Sequence, residues 1–153
     1  MLNLEIDIPE NIDEGCYTLC LYRICDGEEQ APDPEFEEVG AVTWLTGIPS
    51  LTSNGSVASG NDSLGVALSF LDALPQIGCQ YEIHLKGTLG GDIQYIQLSS
   101  KPEIEGFGTV YQLLYPESFD ETFTIVAETK NLFITAISTG SNNPISLDIF
   151  SIL

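Results

Sequence analysis

Hydrolytic and group-transfer chemistry in proteins most often runs through a histidine placed beside a serine or cysteine. This chain has one histidine, His84, set between Ile83 and Leu85, and its local sequence offers no nucleophile. Alternation puts His84 on the same side as Glu82 and Lys86, which makes it a solvent-facing structural histidine. There is no Walker loop, HExxH, GxSxG or complete GxGxxG, and Gly106-Phe107-Gly108 is too short to cradle a phosphate. With 23 acidic residues, some pair falls at glycosidase spacing by chance. The expectation is therefore a protein that is not an enzyme.

Two kinds of binding chemistry remain. Calcium takes hard oxygen ligands, and Asp26-Gly27-Glu28-Glu29, Gly60-Asn61-Asp62-Ser63 and Asp148 supply them, although none has EF-hand spacing. A solvated acidic loop is the commoner reading of such runs, and no cofactor is expected beyond a structural calcium. Trp44, Tyr95, Tyr111 and Tyr115 are the aromatic candidates for stacking on a sugar ring. In sheet proteins such rings more often fill the core. Cys16, Cys20, Cys25 and Cys79 lack the short CxxC spacing of zinc knuckles. In a strand over 16–25, Cys16 and Cys20 share one face and Cys25 takes the other, so the three do not converge on one metal. Reduced, buried thiols are the first expectation, with a bridge from one of them to Cys79 as the alternative. Asn54-Gly55-Ser56 and Asn61-Asp62-Ser63 read as turns.

The elements that must position these residues are strands. Leu2, Leu4, Ile6 and Ile8 alternate with Asn3, Glu5, Asp7 and Pro9, the period-two signature of a half-buried strand. Residues 16–25 are rich in β-formers on both faces, as in a central strand. Further runs follow at 42–46, 56–58, 64–70, 81–88, 92–98, 108–114, 121–127, 132–137 and 145–152, with Gly, Asn, Asp, Ser and Pro between them. Only 69–74 and 116–120 suit a helical turn, and neither is long enough for a βαβ crossover. The pattern predicts an all-β fold, an antiparallel β-sandwich or jelly roll of about ten strands. Expected core positions are Tyr81, Ile83 and Leu85; Phe123, Ile125 and Ala127; and Ile145, Leu147 and Ile149, with Phe150 on the outer side.

The chain of 153 residues is 43% hydrophobic, enough for one ordinary core. A single domain over 1–153 is expected, with N-terminal strands in 1–25, an acidic loop in 26–40 and the jelly-roll core in 41–153. Four cations against 23 acids give a formal charge of −19. An electrostatic grip on nucleic acid or anionic membrane is thereby excluded. Residues 26–38 hold seven acids and no cation, so this loop is expected to stay solvated and to be dispensable for folding. Residues 1–10 show neither a basic n-region nor an apolar h-region, and no stretch approaches the roughly 20 apolar residues of a membrane span.

From residue 44 onward the order of features is Trp44-x-x-Gly47, Asn54-Gly55-Ser56-Val57 and Leu71-x-x-Leu74-x-x-x-Gly78-x-x-Tyr81-x-Ile83. It continues with Phe123-Thr124-Ile125-Val126-Ala127, Leu132-Phe133-Ile134 and a last strand Ile145-Ser146-Leu147-Asp148-Ile149-Phe150-Ser151-Ile152. This order resembles the jelly-roll carbohydrate-binding modules and the related modules of tailed-phage virion proteins. The resemblance implies a jelly roll whose closing Asp148 lies where such modules place a structural calcium ligand. The expected function is a non-enzymatic structural or interaction protein, most concretely a tailed-phage virion component such as a capsid decoration, neck or tail protein. Its partners would be other virion proteins and further copies of itself, with residues 2–8 donated to a neighbour or covered by it. The alternative is an extracellular carbohydrate-binding module, with a glycan as partner.

Overall fold

The structure, a computed structural model, describes Arg23–Ile24 and residues 27–153. In chain order the strands are β1 (Arg23–Ile24), β2 (Gly40–Ala41), β3 (Thr46–Ile48), β4 (Thr52–Ser53), β5 (Ala58–Asn61) and β6 (Ala67–Phe70). They continue with β7 (Cys79–Leu89), β8 (Ile93–Ser99), β9 (Val110–Leu114), β10 (Glu117–Val126), β11 (Leu132–Ser138) and β12 (Pro144–Ile152). One sheet runs β7-β12-β5-β4-β2, with β10 on the other side of β7 and β1 pairing parallel to the start of β7. The second sheet runs β3-β6-β11-β8-β9. Every pairing other than β1 with β7 is antiparallel, and the fold is a jelly-roll-like β-sandwich, as the alternation predicts. The expected strand over 2–8, most of the one over 16–25, and Cys16, Cys20 and Cys25 lie outside the described residues.

β7 shows why these segments become strands. Cys79, Tyr81, Ile83, Leu85 and Leu89 are buried, while Gln80, Glu82 and Thr88 are exposed and His84 and Lys86 half-buried. A period of two is the only one that sorts these residues onto a core face and a water face. Ile83, Leu85 and Leu147 of one sheet meet Leu68, Ile96, Leu98, Leu132 and Ile134 of the other in the closed interior. Each such side chain contributes about 1.5–3 kcal/mol through burial. Gly87 is required where β12 crosses: a Cβ there would lie 2.1 Å from the Ser146 carbonyl oxygen. The helical turn expected at 116–120 is instead the start of β10, whereas the single 3₁₀ turn among the described residues is Glu103–Glu105.

Three further expectations are corrected. Along β12, Ile145 and Leu147 are buried as expected, but Phe150 and Ile152 take the core in place of Ile149. The register steps from Leu147 opposite Gly87 to Ile149 opposite Lys86. Asp148 is the extra residue of a β-bulge, and one extra residue inverts every later side chain.

The acidic loop is the second correction. Its glutamates are exposed, as charge requires, yet Ala31 and Phe36 are buried. The loop is laid along β12, where Gln30 N–H donates to the Ile152 carbonyl (2.9 Å) and Phe150 N–H to the Pro34 carbonyl (2.8 Å). The Glu29 carboxylate accepts from the N–H groups of Ala31 and Ile152, each at 2.8 Å, and from the Ser151 hydroxyl. Asp33 accepts from the N–H groups of Glu37 and Glu38. These carboxylates lower their cost by capping backbone N–H groups, so the loop is part of the fold. Thirdly, Cys79 is fully buried and disulfide-bonded, in place of the expected free thiol; the chain's other cysteines lie outside the described residues.

Candidate functional site

A sandwich must end its sheets somewhere, and each end strand presents unpaired backbone N–H and C=O groups to any strand that reaches it. β2 and β3 are two and three residues long, too short to template much pairing. The opposite flank carries the long edges, β10 of the first sheet and β9 of the second, joined through Tyr115 and Pro116. These two edges differ in charge. β10 carries Glu117, Asp120 and Glu121. Glu121 lies opposite the buried Leu85, so it takes the core-facing side of β10 with Phe119, Phe123 and Ile125, and it is exposed there. A charge on the inner side of an edge strand is a barrier to strand addition.

β9, Val110-Tyr111-Gln112-Leu113-Leu114, has no charge at all in a chain of net charge −19. It pairs with β8 on one side, with Leu114 opposite Ile96 and Leu113 opposite Gln97, and among the described residues no strand pairs with its outer side. Val110, Leu113 and the adjoining Tyr115 are exposed. Tyr95 and Tyr115 stand together beside this edge, ring centroids 5.8 Å apart. Of the four aromatic residues singled out from sequence, only these two meet. Trp44 is half-buried against the core, stacked on Phe36 at 5.7 Å and packed against Phe70 and Phe150. Tyr111 packs partly on the core, and its hydroxyl accepts the Glu128 N–H at 3.2 Å. Burial raises the Tyr111 pKa above 10.0, with the nearby Glu128 charge adding to the effect.

His84 faces the outer side of the first sheet, as expected, and its Nε2 lies 2.6 Å from Oδ1 of Asp120 on β10. Ser151 stands opposite His84 on β12, but its hydroxyl donates to Glu29. The histidine and the carboxylate thus form a surface pair that does not extend to the serine. Asp148 is half-buried at the bulge, and among the described residues no three His, Cys, Asp or Glu side chains converge on a point where an ion could sit.

Two features escaped the sequence reading. Asn143 is fully buried and ties the β11–β12 turn to the turn after β5: its Nδ2 donates to the Asp62 carbonyl (2.9 Å) and the Gly140 carbonyl (3.3 Å), and its Oδ1 accepts from the Ser138 hydroxyl. On the outer face of the second sheet, Ala67, Ser69, Phe133 and Thr135 floor a groove of about 250 Å³ walled by Pro102 and Ile104. One strand away from Thr135, the buried Gln97 Nε2 has no hydrogen-bond partner. No family model matches the chain, and no curated protein matches it.

Proposed function

We propose that this protein is a non-enzymatic structural and interaction protein that joins a larger assembly by accepting a β-strand at β9. The observation that carries this reading is the contrast between the two long edges: β10 is protected by three acids, while β9 is uncharged and exposes Val110 and Leu113. Main-chain pairing supplies affinity in strand addition, and alternate side chains supply selectivity. The setting proposed is the virion of a tailed phage, as a decoration, neck or tail component. A charge of −19 suits it, keeping free copies soluble and away from packaged DNA. The disulfide at Cys79 suits a particle surface, where oxidised cysteines persist.

The test is Leu113→Lys combined with Val110→Lys, both at exposed positions that leave the core untouched. Light scattering and particle co-sedimentation should show the wild type in assemblies and the double variant released from them, with equal circular dichroism. Equal occupancy of particles by both proteins would overturn the reading. A second reading, a carbohydrate-binding module, is favoured by the Tyr95–Tyr115 pair beside the edge. Glycan-array binding lost in Tyr95→Ala and Tyr115→Ala, and unchanged in the double lysine variant, would select it.

A further inference from the structure

We infer that two copies of this chain pack face to face through the outer side of the second sheet, each inserting Ile104 into the groove of the other. The five strands of that sheet, β3, β6, β8, β9 and β11, contain no charged residue, in a chain with 23 acids and four cations. Register settles which of their side chains point outward. Thr135 of β11 lies opposite Ala67 of β6 and Gln97 of β8, and Gln97 lies opposite Leu113 of β9. Along β11 the neighbours Leu132 and Ile134 belong to the core, so Phe133, Thr135 and the row through Thr135 face away from it. The outer side of the first sheet is different: β7 and β10 present Glu82, His84, Lys86 and Asp120 there, and the acidic loop runs along β12.

Charge, shape and area make the occupant a second copy. Two chains of charge −19 repel, so they approach closely only where neither sets acids against the other. Among the described residues, the outer side of the second sheet is the sheet face that meets this condition. A cationic partner would be drawn instead to the first sheet and its loop. The face also carries both halves of a fit. Ala67, Phe133 and Thr135 floor the groove of about 250 Å³, and Ile104 at its wall is 93% exposed. Ile104 is held out by a closed turn, in which the Glu105 N–H donates to the Pro102 carbonyl (3.0 Å) and the Gly106 N–H to the Glu103 carbonyl (2.8 Å). A projection beside a recess is self-complementary under two-fold rotation, each Ile104 entering the other copy's groove. Five strands about 4.8 Å apart and about six residues long make a face of roughly 24 by 20 Å. Two such faces bury on the order of 1,000 Å², the low end for a specific interface, so the dimer is expected to dissociate on dilution. Glu103 shares the rim of the groove, which leaves like charges near the contact for salt to screen.

Sedimentation equilibrium of the full chain tests this. The wild type should reach the mass of two 16.6 kDa chains, and the dimer should tighten as salt rises from about 0.05 to about 0.5 M. Ile104→Asp and Ala67→Lys each change an exposed residue and each act twice across the two-fold axis. Either should weaken the dimer by about 100-fold or more, with wild-type circular dichroism. Mixed, the two variants should dimerise again: the introduced carboxylate of one copy meets the introduced ammonium of the other, and the second contact keeps Ile104 against Ala67. A wild type that stays monomeric at every salt concentration, a dimer that salt weakens, an Ile104→Asp chain that dimerises like wild type, or a mixture that stays monomeric each overturns the inference. So does a dimer that forms only once residues 1–9 are removed, since the chain's own N-terminal segment would then occupy the face. Strand addition at β9 has its own variant, and failure of the Ile104 and Ala67 tests leaves that reading standing.

Discussion

Replacing Phe36 by alanine separates a docked loop from a solvated one. The ring is fully buried and stacks on Trp44 at 5.7 Å with an interplanar angle of 11°. Deleting a buried phenylalanine ring costs about 3–5 kcal/mol where the cavity cannot collapse. Phe36 sits at the rim of the core on a loop that can relax, so about 3 kcal/mol is expected. That is a large fraction of the roughly 5–15 kcal/mol that holds a domain together. It corresponds to a fall in Tm of about 6–12 °C for a chain of this size. Phe36 also has φ of 54°, a left-handed conformation that glycine adopts with little strain. Phe36→Gly should therefore be no more destabilising than Phe36→Ala, the reverse of the usual order in regular structure. The assay is urea unfolding followed by the fluorescence of Trp44, the only tryptophan, with circular dichroism in parallel and Glu35→Gln as the exposed control. A Phe36→Ala protein within 1 kcal/mol of wild type, by the measure of core truncations, would refute the claim that the acidic loop is anchored.

Asn143→Ala should cost about 1–3 kcal/mol, because it removes the side-chain hydrogen bonds to the Asp62 and Gly140 carbonyls and the Ser138 hydroxyl at a buried position; urea unfolding checks it. Asp120→Asn weakens a pair whose side chains are 33% and 61% exposed, so stability measured the same way should change by less than about 1 kcal/mol. Tyr111 gives a pH dependence. Its pKa is raised in the folded state above 10.0, so the unfolded chain releases that proton first as pH rises. The stability it contributes is complete below 10.0 and declines above it. Tyr111→Phe should flatten that alkaline decline in unfolding midpoints measured across pH 9–11; an unchanged slope would exclude Tyr111 as its source.

What the sequence determined by itself is local. Alternation in 81–88 and 121–127 is a property of neighbouring residues, so it identified the strands, their inner faces and the outward position of His84 without knowledge of pairing. Acidity and the lack of clustered cations likewise follow from counting. The tertiary structure decided whatever depends on residues far apart in the chain. The bulge at Asp148 exists only because β12 must pass Gly87 and Lys86 of β7, and it moved Phe150 inward against the alternation. Phe36 became core because it stacks on Trp44, whose ring is packed against Phe70 and Phe150, a surface no run of acids announces. Asp120 reached His84, and Tyr115 reached Tyr95, through strand register. Above all, β9 and β10 read in sequence as two ordinary strands; only the order of strands in the sheets makes them edges. An edge is defined by the neighbour a strand lacks, and that is a property of the whole fold.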